Sequence, residues 1–93
     1  MATERTDSPC YVADGYWRGP VWGPSTLLIV EGLAATGETT LARAIATAYV
    51  KTCSVSGFAE NFDAQTGSPL RDPAYTWTAA TFLLLAQQFG ECL

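Results

Sequence analysis

Three stretches of this chain carry apolar residues at helical spacing, and Gly- and Pro-rich segments separate them. Helices joined by loops are the fold that pattern permits. The first stretch runs from about Pro24 to Thr36, with Pro24 suited to a first helical position and Gly37 to a C-cap. Leu27, Leu28, Val30, Leu33 and Ala34 make it apolar almost all round, which implies burial between neighbours. The second runs from about Glu38 to Thr52. Leu41, Ala42, Ile45, Ala46, Ala48 and Tyr49 mark its face, and Glu38 in the first turn and Lys51 in the last suit the helix dipole. The third starts near Thr76, a reasonable N-cap, and runs to about Phe89, where Gly90 ends it. Residues 1–15 read as an extended lead-in, and residues 54–75 as a long loop. No strand alternation is convincing. The expected class is all-α, and helices this apolar look like wedges of a larger helical assembly.

The rest of the composition excludes several functions. The formal charge is −4, and the five Lys and Arg are scattered. Nucleic acid and anionic membranes both demand clustered cations, so neither is an expected partner. There is no His, which removes His-based triads, most zinc sites and the usual proton shuttle. No metal or cofactor is expected. Cys10, Cys53 and Cys92 form neither a CxxC pair nor a disulfide framework. Reduced thiols in an intracellular, cytoplasmic setting fit that usage. Residues 1–7 are polar with no secretory h-region, and the apolar run 27–35 is far short of the roughly 20 residues of a membrane span.

One motif misleads. Gly32 and Gly37, followed by Glu38 and Thr39, have the spacing of a phosphate-binding loop after a β-like apolar run. That loop requires a lysine where Glu38 stands. A carboxylate there repels the phosphates it would have to bind, by roughly several kcal/mol in a desolvated site. A packed helix with a glycine stop accounts for the same residues.

Two blocks carry the chemistry. The first is Tyr16-Trp17-Arg18-Gly19-Pro20-Val21-Trp22. The second is Gly57-Phe58-Ala59-Glu60-Asn61-Phe62-Asp63-Ala64-Gln65-Thr66-Gly67, followed by Tyr75-Thr76-Trp77-Thr78-Ala79-Ala80. A sugar ring offers apolar C–H faces and many hydroxyls. Aromatic side chains cover the first, and Arg, Asn and Asp bond the second. Asp63 and Asp72 read as loop-structuring acids that bond nearby backbone N–H groups.

In the order and spacing of these blocks, from about Gly15 to Ala86, the chain resembles glycoside hydrolase family 63 and its mannosylglycerate and glucosylglycerate hydrolase relatives. More distantly it is similar to trehalases. The resemblance implies an (α/α)6 barrel with residues 16–93 as the C-terminal part of the catalytic domain. It also implies hydrolysis with inversion at the anomeric carbon. Carried over by motif, Glu60 falls on the general base. Tyr16, Trp17, Arg18 and Trp22 fall on the sugar-pocket wall and Trp77 beside the site, and Asn61 is expected with them among the substrate-binding residues. Inversion pairs such a base with a carboxylic acid roughly 6.5–9.5 Å away. In the family that acid is an Asp well upstream of the first block. Glu4, Asp7 and Asp14, the acids before Tyr16, sit in no matching motif. The expected partners are therefore a carbohydrate substrate and the N-terminal part of the barrel, and no useful catalysis is expected from the 93 residues alone. The rival reading is a non-catalytic carbohydrate-binding or interaction module that keeps the sugar wall.

Overall fold

The three helical stretches form a three-helix packing with a short hairpin set into the last loop. The computed structural model describes residues 1–89. Helix α1 spans Gly23–Ala35, α2 Thr39–Ser56 and α3 Thr76–Phe89. Strands β1 (Asn61–Phe62) and β2 (Pro69–Leu70) pair antiparallel, with Asn61 opposite Leu70 and Phe62 opposite Pro69. Each helix packs on the other two. Val30 of α1, Ala42, Ala46, Tyr49, Val50 and Cys53 of α2, and Leu85 of α3 close the core together with Ala59 and Phe62 from the loop.

Where the elements end has local causes. After α1, the Glu38 N–H bonds Leu33 O at 2.8 Å and the Gly37 N–H bonds Ala34 O at 3.3 Å. This is the double closure of a Schellman turn, and it needs the left-handed φ of 89° that Gly37 supplies. Helix α2 does not stop at Thr52 as expected. The hydroxyls of Thr52 and Ser54 turn back to the carbonyls of Ala48 and Val50, so these poor helix formers are satisfied inside the helix. Cys53 is buried there, and Gly57 at φ 82° ends the helix. Two dipole assignments change with these bounds. Lys51 falls outside the last turn, and Glu38 is the N-cap, without a side-chain capping bond. Helix α3 runs over the expected residues, and Gly90 and Cys92 lie outside the described residues.

The lead-in is a series of turns closed by Ser8 N–H to Arg5 O, Tyr11 N–H to Ser8 O and Gly15 N–H to Val12 O. It is not extended. Gly32 lies within α1, so the false phosphate loop is helix where that motif requires strand and loop.

Gly23 opens α1 at the crossing of the three helices. A Cβ there would lie 2.8 Å from Tyr49 Oη and 2.9 Å from Thr81 Oγ1. Neither atom ends a flexible side chain, so the contact cannot relax cheaply. Gly23→Ala is expected to destabilise the fold by about 1–3 kcal/mol despite alanine's better helix propensity, read from urea unfolding midpoints.

The outward faces remain apolar. Leu28 is 71% exposed and Leu83 65%, with Leu41 and Val55 also exposed. Among the described residues no helix is long and apolar enough to cross a membrane.

Candidate active site

Main-chain pairing brings the two motif blocks together. The Val21 N–H donates to Phe62 O at 2.7 Å, and the Phe62 N–H donates to Val21 O at 3.0 Å. The loop ahead of Phe62 is then fixed from its other side. The Glu60 N–H donates to Asp72 O at 2.7 Å and the Tyr75 N–H to Phe58 O at 2.8 Å. Thr78, buried at the start of α3, donates its hydroxyl to Ala59 O at 2.6 Å. Together with the Asn61–Leu70 pair, each residue from Phe58 to Phe62 has a tethered main chain. The carboxylate of Glu60 therefore projects from a fixed backbone, although it sits in a loop.

That carboxylate meets Tyr16. The phenol donates to Glu60 Oε2 at 2.9 Å, and this bond raises the Tyr16 pKa above its ordinary value, with desolvation a smaller cause. Tyr16 has a φ of 64°, a left-handed conformation that costs a bulky residue about 1–3 kcal/mol and persists only where neighbours enforce it. One enforcer is Trp22, whose indole N–H donates to Tyr16 O at 2.7 Å. Around this pair the aromatic side chains interlock. Trp17 stacks on Trp22 at 4.2 Å and 17°, while Tyr16 and Trp77 meet Trp22 edge-on at 4.5 and 5.6 Å. Tyr75 adds a tilted contact to Trp77 at 4.7 Å.

The expected site residues thus divide by depth. Trp17 is 56% exposed and Trp77 36%, so both present ring surface to solvent. Arg18 is exposed and, among the described residues, its guanidinium makes no hydrogen bond or ion pair. Trp22 and Asn61 are wholly enclosed. Both were expected to bind substrate, but neither side chain reaches the surface, and Trp17 stacks over Trp22. Neither amide atom of Asn61 has a hydrogen-bond partner among the described residues. The two acids read as loop-structuring behave so. Asp63 Oδ1 accepts from the N–H groups of Gln65 and Thr66, both at 2.9 Å, and these bonds lower its pKa. Asp72 Oδ1 accepts from the Ala74 N–H at 2.9 Å.

One residue of the site went unread in the sequence. The guanidinium of Arg71 lies 4.9 Å from the centre of the Tyr16 ring. It also donates to Asp14 O at 3.2 Å and pairs with the Asp14 carboxylate at 3.3 Å. Arg71 is the one cation after Lys51 in the sequence, a signal that could have singled it out.

A hollow of about 510 Å³ lies elsewhere, between residues 1–2, α2 and the Asp63–Gly67 turn. None of the expected site residues lines it. Asp63 is its one acid, already committed to its own loop, so the aromatic face around Glu60 has the stronger chemical claim. Cys53, buried on the α2 side of the core, has its thiol pKa pushed up to about 11 by desolvation, which makes it a poor nucleophile. Cys10 and Cys53 are both free. Among the described residues no group of three or more Cys, Asp or Glu forms a metal-ligand set.

The family of the mannosylglycerate hydrolase MGH1-like glycoside hydrolase domain matches residues 1–78, and the chain belongs to that family. It is 38% identical to a mannosylglycerate hydrolase of Rubrobacter radiotolerans over 68 residues, 73% of this chain and 15% of that protein. Identity and coverage are the same against a glucosylglycerate hydrolase of Mycolicibacterium hassiacum. In structure it is similar to a GH63 mannosylglycerate hydrolase from Thermus thermophilus in complex with glucose. The TM-score is 0.78 at 27% identity, over 90% of this chain and 23% of that one. The same enzyme in complex with Tris and D-glycerate gives a TM-score of 0.77 at 32% identity, over 83% of this chain and 19% of that one. The helices are therefore a small portion of the (α/α)6 barrel of that family. The chain spans between about a seventh and a quarter of the length of these relatives.

Proposed function

We propose that this chain supplies the general base and one wall of the sugar pocket of an inverting glycoside hydrolase acting on a glycosylglycerate or a related oligosaccharide. Residues 16–93 would be the C-terminal part of its catalytic domain. The observation that carries the reading is the Glu60 carboxylate, held at one oxygen by Tyr16, whose ring meets that of the exposed Trp17 edge-on at 5.5 Å. One carboxylate oxygen bonded to the phenol leaves the other free to accept a proton from water. Trp17, Trp77 and Arg18 are the side chains placed to meet a sugar's apolar face and hydroxyls, with Trp22 and Asn61 supporting them from behind. The general acid comes from outside these motifs, so the reaction belongs to the assembled barrel. The substrate class follows from the names of the relatives, which act on mannosylglycerate and glucosylglycerate.

A chimera tests this. Residues 16–89 replace the matched segment of the Thermus thermophilus mannosylglycerate hydrolase, and proton NMR follows the first product formed from mannosylglycerate. The expected product has the anomeric configuration opposite to the substrate's. A product that retains the configuration overturns the base assignment, because retention requires a nucleophile in place of a base. Sugar binding with no turnover by a folded chimera would favour the non-catalytic module.

A further inference from the structure

We propose that Arg71 is the positioning residue of the site, holding Tyr16 in its left-handed conformation so that the phenol meets Glu60. Tyr16 and Arg71 are the non-glycine residues with positive φ among those described, both at 64°, and they touch each other through the cation–ring contact of 4.9 Å. Two uncommon backbone conformations meeting in one contact point to a mutual constraint. The guanidinium grips this turn at two places. It bonds the carbonyl and carboxylate of Asp14, two residues ahead of Tyr16, and it covers the Tyr16 ring. The turn between them cannot relax to ordinary φ without breaking one of these contacts. From its other side, Arg71 precedes Asp72, whose carbonyl accepts the Glu60 N–H at 2.7 Å. One short segment thus fixes both the backbone of Glu60 and the hydroxyl that holds its carboxylate. The Arg71–Asp14 ion pair is half-exposed and would stabilise little by itself. Its consequence is the aim of Tyr16.

The catalytic meaning of this arrangement rests on Glu60 being the base, but the arrangement can be tested without turnover. The Tyr16 phenol is titrated in the 93-residue chain by carbon NMR of its Cζ, with Tyr49 as an internal control for folding. Two causes act oppositely on Tyr16: the Glu60 bond raises its pKa, and the Arg71 charge lowers it. If Arg71 is only a nearby cation, Arg71→Met raises the Tyr16 pKa further. If Arg71 positions Tyr16, the same change releases the Glu60 bond, and the pKa falls toward the ordinary value of 10.0. The fall is the expected result, with partial recovery in Arg71→Lys, which keeps the charge over the ring but lacks the planar fork. Tyr49 should stay elevated throughout, since burial raises it. If Tyr49 falls too, the variant has unfolded, and Asp14→Asn decides instead, with a smaller fall expected at Tyr16. A rise or no change at Tyr16 in a folded variant overturns the proposal. Failure of the base assignment would appear separately, in the product anomer of the chimera.

Discussion

Glu60→Gln is expected to lower the turnover of the chimera by about 10²–10⁴-fold, the range for loss of a general base. Glutamine keeps the size of the side chain and can still accept the Tyr16 hydroxyl, so the 2.9 Å contact and the tethered loop should survive. What it loses is the ability to take a proton from water. Affinity should change far less, because Trp17, Trp77 and Arg18 remain. The kinetic signature is a fall in kcat and kcat/KM together with KM nearly constant, which marks an interaction made in the transition state. Thermal melting should shift little, because Glu60 is only partly buried. Turnover within about threefold of the parent chimera would remove Glu60 from the chemistry, and a large rise in KM at constant kcat would make it a binding residue.

The sequence made the helices and the order of the motifs readable because both are local signals. Thr76 to Phe89 appears as written, since its apolar residues recur at helical spacing. Gly37 and Gly57 end α1 and α2 through φ values that few other residues adopt. The C-terminal turn of α2 was obscured because Thr52, Ser54 and Ser56 look like loop residues until their hydroxyls find carbonyls. The β1–β2 pair was invisible, because two residues cannot show an alternation. In the site, motif order placed Glu60 and the aromatic residues, and the structure joins them through the Val21–Phe62 pairing. Depth was not legible. Trp22 and Asn61 read as substrate-binding residues, and only packing shows them enclosed. Arg71 reaches Asp14 across 57 positions, a contact that no local pattern encodes.

The second large effect is expected at Trp22, the residue on which the aromatic face is built. It is fully buried and touches Trp17, Tyr16 and Trp77. Its carbonyl accepts the Thr26 hydroxyl at 2.7 Å at the start of α1. Trp22→Ala removes the centre of that cluster and leaves a cavity between α1 and the site loop. The expected cost is about 3–5 kcal/mol, a large share of the roughly 5–15 kcal/mol typical of a domain, measured by urea unfolding of the isolated chain. Trp22→Phe separates packing from hydrogen bonding. It keeps an aromatic ring against Trp17 but deletes the indole N–H that holds Tyr16 O at 2.7 Å, leaving that carbonyl without its partner at a cost of about 1–3 kcal/mol. If Trp22 supports catalysis only by holding Tyr16, the Phe variant of the chimera should melt as a folded protein and still lose turnover. Its Tyr16 pKa should also fall, as in Arg71→Met. A Trp22→Ala variant that unfolds within about 1 kcal/mol of the parent would place the indole outside the core. A Phe variant with full turnover would show that packing alone holds Tyr16 to Glu60.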